Sequence, residues 1–313
     1  MVYVGIDLGG TGIKAGVVDE NGRILSKVDC PTYLERGHEA VIEDMAKLAL
    51  KAIDESGHTP EDVPYIGCGV PGIGLSDGTV PFCTNLGWHD VPLRALMQRV
   101  IDKPIYIDND ATVAALAESV AGISRGAQNS VFLTLGTGLG GGIVIGGKVY
   151  SGSHNIGSEL GHMVVMIDGD MCTCGNRGCW ERYASATALI KQGREAATAN
   201  PGCAIAKSVG GDLDKIEART VIDAAREGDE VAAAVFDRYC FYLSAGINTI
   251  INAIDPEIVA LGGGVSHAGQ FLLDGVRRHV AEHLFYRTMP YARIELAVLG
   301  NDAGIIGAAM LGR

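Results

Sequence analysis

The sequence has no run of about 18 apolar residues, the length that a membrane-spanning helix needs. Its first residues include no basic stretch and already carry an acid at Asp7, which argues against a signal peptide. Basic residues are scarce, because 25 Lys and Arg stand against 37 Asp and Glu, for a net charge of −12. Binding to nucleic acid requires a basic face. We therefore expect a cytoplasmic protein with neither a membrane nor a nucleic-acid partner.

Glycine, by contrast, is abundant. It accounts for 44 of the 313 residues, about twice its usual share of about 7%. The glycines follow no collagen-like period and cluster at the ends of apolar segments, where the backbone bends tightly or approaches a ligand. The chain length allows roughly two domains.

A pattern of strand, glycine turn, strand and hairpin occurs twice. The first copy has a strand over 2–7 and a turn over 8–12, and the second, about 127 residues later, has a strand over 130–135 and a turn over 136–142. The repetition predicts two related α/β lobes. Further strands are predicted over 65–70, 104–107 and 257–261, and helices over 39–56, from 111, and over 183–198, 219–227, 230–252 and 303–311.

Two nucleotide-binding motifs nearly match and are excluded. Gly136, Gly138 and Gly141 satisfy G-x-G-x-x-G, but that motif requires a helix after the turn. The segment 143–149 is instead β-branched and typical of a hairpin. A P-loop is excluded because Val149 stands where a Ser or Thr must bind Mg²⁺.

The two glycine turns allow two interpretations. They can be simple tight turns, or their N–H groups and Thr hydroxyls can hold anionic oxygens. Their corresponding places in two repeated lobes favour the second interpretation. Asp7 precedes the first turn, and a carboxylate beside phosphates is repulsive unless Mg²⁺ bridges them.

A cluster of cysteines follows one histidine. His162 lies ten residues before Cys172, and Cys174 and Cys179 follow closely. One imidazole and three thiolates complete the tetrahedral shell that Zn²⁺ prefers in structural sites. Such a metal would order the loop 162–181 and leave no open position for chemistry. The alternatives are free cysteines or a redox site, and the C-x-C and C-x₄-C spacings do not favour the latter.

Asp110 lies between the predicted strand 104–107 and an alanine-rich helix. A carboxylate at the tip of a strand can accept a proton from a substrate. Asp is also a common N-cap residue. The residues alone leave both roles open.

The chain resembles a known family. The His162 segment with C-x-C-G-x-x-G-C-x-E over 172–181 is similar to the signature of the ROK family (repressors, open reading frames, kinases). The resemblance runs from Asp7 to 300–304, and it is closest to bacterial ATP-dependent glucokinases at 85–88, 184–187 and 262–266. The paired turns resemble those of the sugar-kinase, hsp70 and actin superfamily.

This resemblance implies an α/β, two-lobed actin-like ATPase fold with duplicated lobes and a cleft between them. The smaller lobe would comprise 1–116 and 300–313, and the larger lobe 117–299 with the zinc loop 162–181. The implied activity is phosphorylation of a hexose by ATP, glucose to glucose 6-phosphate, with Asp110 as general base. The implied cofactors are ATP, Mg²⁺ and a structural Zn²⁺, and the implied assembly is a homodimer or homotetramer.

The resemblance also implies the site residues. Contacts to the nucleotide and its Mg²⁺ are expected at Asp7, Gly9, Gly10, Thr11, Gly136, Thr137, Gly138, Gly262, Gly263 and Gly264. Contacts to the hexose are expected at Asn85, Asn109, Asp110, Glu159, His162 and Glu181. The metal ligands would be His162, Cys172, Cys174 and Cys179, with the second imidazole nitrogen free to contact the sugar.

Several alternatives remain. Gly262–Gly264 can be a plain strand-to-helix turn, and Glu159 and Glu181 can be solvated surface acids. The family usually has Glu at Asp108 and often Asn at Thr112, so the sugar preference is open. The substrate could be N-acetylmannosamine, N-acetylglucosamine, allose or fructose. A non-catalytic sugar sensor, or a ROK repressor with an N-terminal helix-turn-helix arm, is less favoured.

Overall fold

The computed structural model describes residues 1–313 and divides into two compact units. Unit 1 comprises Met1–Phe132, Gly142–Ser158 and Val298–Arg313. Unit 2 comprises Leu133–Gly141 and Glu159–Ala297. The lobe boundaries expected after residue 116 and before residue 300 stay a prediction.

The first sheet lies in unit 1 and has the order β3-β2-β1-β4-β7. Its strands are β1 Val2–Leu8, β2 Gly12–Asp19, β3 Ile24–Pro31, β4 Ile66–Val70 and β7 Ile105–Asn109. A two-stranded sheet is formed by β5 Val80–Cys83 and β6 Trp88–Val91. The helices are α1 His38–Glu55, α2 Leu93–Met97, α3 Asp110–Ala121 and α10 Ala303–Met310.

The second sheet repeats this arrangement in the order β10-β9-β8-β11-β12. Its strands are β8 Ser130–Leu135, β9 Leu139–Ile145, β10 Lys148–Val149, β11 Ile258–Gly262 and β12 Arg293–Leu296. In each sheet three consecutive strands lie on one side and two later strands complete the other. This common order agrees with the repeat in the sequence.

The helices of unit 2 are α4 Glu181–Ala184, α5 Ala186–Ala199, α6 Ala204–Ser208, α7 Ala218–Arg226, α8 Glu230–Ile254 and α9 Gln270–His283. The prediction of one continuous helix over 183–198 was wrong. It is divided at Ser185, whose extended backbone ends α4 and whose hydroxyl caps α5 by accepting from Ala188 N at 3.1 Å. None of the helices combines the length and apolar character that a membrane span requires.

The glycine turn predicted over 136–142 is shorter than expected. Strand β9 already begins at Leu139, so the turn comprises Gly136–Gly138. Leu139 is buried, so its side chain is part of the core and the strand begins at this residue. No helix follows the turn, as the exclusion of the dinucleotide motif required.

Helix α10 packs directly on the first sheet. A Cβ on Gly5 of β1 would lie 1.9 Å from the carbonyl oxygen of Ile305, and one on Gly67 of β4 would lie 1.7 Å from that of Ala308. These two strands therefore need glycine where the helix crosses them. Ile305 itself is fully buried, so α10 forms part of the core of unit 1.

Glu118 holds the far end of α3. Its side chain is 1% exposed, and Oε1 accepts from the N–H groups of Val298 at 2.9 Å and Leu299 at 3.0 Å. Oε2 accepts from Ile123 N at 2.8 Å. The carboxylate thus joins the end of α3 to the segment where the chain returns to unit 1.

Replacing Glu118 with Gln should destabilise the protein by about 2–4 kcal/mol, because the amide nitrogen cannot accept and leaves a buried N–H unpaired. We expect a lower urea midpoint. Glu43→Gln, which breaks only an exposed pair with Lys47, should leave the urea midpoint unchanged. Equal midpoints for the two variants would refute this role of Glu118.

Candidate functional site

In unit 1 the predicted site residues gather at one edge of the first sheet. Strands β1, β4 and β7 are parallel, and their register places Asp7 beside Gly69, and Gly69 beside Asp108. Because parallel strands end at the same edge, the turn after β1 and the residues after Asp108 lie at that edge.

The first glycine turn is held by a short network. Gly9 N donates to Gly12 O at 2.9 Å, and the Thr32 hydroxyl donates to Gly9 O at 2.8 Å. A Cβ on Gly10 would lie 3.8 Å from the carbonyl oxygen of Asn85. The fold thus brings Asn85, a predicted sugar contact, beside the predicted phosphate turn.

Asp7 lies at the start of α10. A Cβ on Gly304 would lie 2.5 Å from the Asp7 carboxyl carbon, so the carboxylate occupies the space that Gly304 leaves open. Burial raises the pKa of Asp7, while Lys14, whose Nζ is 3.6 Å from Oδ2, acts in the opposite direction. The positive end of the helix dipole also favours an anion here.

Asn109, not Asp110, caps α3. Its Oδ1 accepts from Ala111 N at 2.9 Å and Thr112 N at 3.4 Å. The N-cap alternative for Asp110 was therefore wrong, because β7 extends to Asn109 and Asp110 is already the first helical residue. The Asp110 side chain is exposed, and its Oδ1 accepts from Ala111 N at 2.8 Å.

Asp108 fixes the backbone of this segment through hydrogen bonds. Its carboxylate is buried, and it accepts from Asn109 N at 2.7 Å and from the Ser151 hydroxyl at 2.8 Å. Burial raises the pKa of Asp108, against the effect of these hydrogen bonds. Ser151 was not predicted, because no local signal links it to a residue 43 positions earlier in the chain.

In unit 2 the second glycine turn meets the start of α5. Ala186 N donates to Gly136 O at 2.8 Å, and the Thr187 hydroxyl donates to Thr137 O at 2.7 Å. A Cβ on Gly138 would lie 2.8 Å from Glu181 Oε2. The predicted phosphate turn and a predicted sugar contact are therefore neighbours.

The segment Gly262–Gly264, where β11 ends, lies beside the carboxyl end of the neighbouring strand β8. Gly263 has a φ of +80°, and a Cβ there would lie 2.6 Å from Leu135 N. Both facts require glycine. The predicted adenosine loop is thus placed next to the second phosphate turn, which begins one residue after Leu135.

The four predicted metal ligands form one cluster. Their donor atoms all lie within 4.8 Å of one another. Cys172 Sγ is 3.7 Å from His162 Nδ1, and Cys174 Sγ is 3.6 Å from Cys179 Sγ. Tetrahedral Zn²⁺ with Zn–S bonds of about 2.3 Å and Zn–N bonds of about 2.0–2.1 Å requires ligand spacings of roughly 3.5–3.8 Å. The residues present therefore fit this ion.

The three thiols of the cluster differ in pKa. Burial raises the pKa of Cys179 to about 12 and raises that of Cys172, whereas the backbone N–H of Asn176 lowers that of Cys174. The two buried thiols keep their protons at neutral pH unless a metal displaces them.

Glu181 and Glu159 differ in setting. Glu181 Oε1 accepts from the Cys172 thiol at 3.0 Å and lies 3.9 Å from His162 Nδ1. The surface-acid interpretation is therefore wrong for Glu181, which is 18% exposed. Glu159 is exposed, and its carbonyl oxygen accepts from His162 N. His162 faces the cluster with Nδ1, which leaves Nε2 for another contact.

Comparison with known proteins identifies the family. The sequence profile described as the ROK family matches residues 3–313. The chain belongs to the ROK family. A glucokinase from Thermotoga maritima is 39% identical over 98% of this chain and 96% of its own.

Two solved ROK structures are also similar. A ROK family glucokinase from Streptomyces griseus, in complex with glucose and AMPPNP, is 36% identical, covers 99% of both chains and has a TM-score of 0.81. A ROK hexokinase from Thermus thermophilus is 34% identical, covers 99% of this chain and 97% of its own, and has a TM-score of 0.83. The actin-like α/β fold expected for this ROK protein is confirmed.

Proposed function

We propose that this ROK protein transfers the γ-phosphoryl group of ATP to the 6-hydroxyl of glucose. The observation that carries the proposal is its similarity, at 36% identity over 99% of the chain, to a glucokinase that holds glucose and AMPPNP. The presence of both glycine turns, Asp110 and the cysteine–histidine cluster supports it.

The nucleotide would be held by backbone groups. The N–H groups of Gly10, Thr11, Thr137 and Gly138, with the hydroxyls of the two threonines, suit phosphate oxygens. Those of Gly9 and Gly136 already donate within their turns. Gly262–Gly264 lies beside the second turn and would contact the adenosine part of the nucleotide. Asp7 would hold Mg²⁺, which neutralises phosphate charge when bound.

Asp110 would accept the proton of the sugar hydroxyl. General bases act on the nucleophile as it attacks the γ-phosphate, and correct positioning of that hydroxyl supplies much of the rate. Asn109 fixes the start of α3 and Asp108 fixes Asn109, so the base stands on a rigid element. Asn85, Asn109, Glu159, His162 and Glu181 would bind the hydroxyl groups of the sugar.

A zinc ion would be held by His162, Cys172, Cys174 and Cys179. When bound, it supplies structural order and no chemistry, because all four positions are filled by protein. His162 would then donate its Nε2–H to a sugar hydroxyl while Nδ1 faces the metal, so the cluster would orient a sugar contact.

A panel of sugars tests the substrate. We expect kcat/KM for glucose to exceed that for N-acetylglucosamine, N-acetylmannosamine, allose and fructose at least about tenfold, since a misplaced or added polar group leaves buried partners unpaired. ADP release coupled to NADH oxidation measures each rate. A higher value for another sugar would assign that kinase activity, and tight glucose binding without turnover would assign a sensor.

A further inference from the structure

A cavity in unit 2 is lined by residues between 170 and 242. Its volume is about 400 Å³, within the range of small-molecule sites. The lining includes Asp170, Arg182, Tyr183, Lys191, Gln192 and Tyr242. Asp170 belongs to the segment of the metal cluster, and its N–H donates to the Tyr183 hydroxyl at 2.7 Å.

Three cationic side chains, Arg182, Lys191 and Arg238, line the cavity against two carboxylates, Asp170 and Glu195, which leaves one positive charge in excess. Lys191 is paired with Asp170 at 2.5 Å and lies 3.8 Å from Glu195. Neither Arg182 nor Arg238, which also lines the cavity, has a carboxylate within ion-pair distance. Arg238 donates instead to the Tyr242 hydroxyl at 3.2 Å and stacks over that ring. In a chain with a net charge of −12, two such guanidinium groups in one cavity suit an anionic ligand.

Two buried polar atoms of the lining also lack partners. These are the Nε of Arg182, a donor, and the Oε1 of Gln192, an acceptor. Buried polar groups in native proteins are nearly always hydrogen-bonded. Both atoms have almost no accessible surface, so a ligand with an anionic oxygen and a hydroxyl group would satisfy them once the two side chains turn into the cavity. The tilted rings of Tyr183 and Tyr242, with centroids 4.9 Å apart, add an apolar surface for a sugar ring.

We propose that this cavity binds a phosphomonoester of hexose size. The guanidinium groups of Arg182 and Arg238 would bind the phosphate and Gln192 a hydroxyl. The binding of a phosphomonoester is inferred from the geometry of the cavity alone. The identity of the natural ligand as glucose 6-phosphate rests on the proposed function. Arg182 directly follows Glu181, a proposed sugar contact, in the chain.

The test is calorimetric titration of the full chain with glucose 6-phosphate at saturating glucose and AMPPNP, which occupy the proposed active site. About one further equivalent should bind. Arg238→Gln should weaken the affinity for this further equivalent at least about tenfold, and Gln192→Leu should weaken it at least about threefold. The control Arg219→Gln, an exposed arginine paired with Asp223 on α7, should leave it unchanged.

Each outcome decides the proposal. No binding under these conditions, or binding unaffected by both Arg238→Gln and Gln192→Leu, overturns it. Equal affinity for inorganic phosphate overturns the hexose part and leaves a phosphate site. Arg238→Gln should turn over glucose at the wild-type rate. If the chain phosphorylates no sugar, the titration without glucose and AMPPNP still tests the cavity, so failure of the kinase assignment and failure of this site are separate results.

Discussion

Replacing Asp110 with Asn should lower kcat for glucose by about 10²–10⁴-fold, the usual contribution of a general base. Asn has nearly the same shape but cannot take the proton of the 6-hydroxyl. Its amide oxygen can still accept from Ala111 N, as the Asp110 carboxylate does at 2.8 Å, so α3 should remain intact. The KM for glucose should change less than about fivefold, because the loss is in the reacting step.

The matched control is Asp102→Asn, which removes an exposed carboxylate from the same unit. It should leave kcat unchanged. Urea midpoints of both variants should equal that of the wild type. Phosphorylation of glucose by the Asp110→Asn variant at the wild-type rate would exclude this residue as the base.

Replacing Cys179 with Ser should remove the zinc and raise the KM for glucose at least about tenfold. Cys179 is fully buried in the cluster, and the loss of one of four ligands from a structural zinc site removes most of its affinity. Without the ion, His162 and Glu181 lose the framework that orients them, an effect comparable to the 10–100-fold losses caused by disturbing groups around a metal. Zinc per chain is measured by mass spectrometry on the same sample as the kinetics.

Cys203→Ser provides the comparison, because Cys203 is also buried and free but lies outside the cluster. This variant should keep about one zinc per chain and an unchanged KM. A wild-type protein that is fully active with no bound zinc would refute the structural role of the metal.

Features with a local signal or a fixed spacing of residues are predictable from the sequence. The strand Ser130–Leu135 has its predicted bounds, since it is a short, mostly apolar segment that ends at glycine. The cluster of His162 and three cysteines is likewise predicted by ligand chemistry and spacing, and the donor atoms do lie together. Helix α9 and strand β12 were not predicted, although α9 buries Leu272, Val276 and Val280 at helical spacing.

The errors at the site have physical causes. Asn109 and Asp110 both carry short acceptors, and which of them caps α3 depends on a single residue at the end of β7. The anchors Asp108–Ser151 and Glu118–Val298 join residues far apart in the chain, so no local pattern indicates them. Hydrogen bonds of this kind follow only from the assembled fold.

The position of α10 on Gly5 and Gly67 also constrains how the protein is made. The face of the first sheet that this helix covers has no partner until residues 303–310 have emerged from the ribosome. Strands β1 and β4 are therefore synthesised well before the helix that covers them. During that interval their apolar surface is a substrate for chaperones, and a nascent chain stalled before residue 303 should aggregate rather than fold.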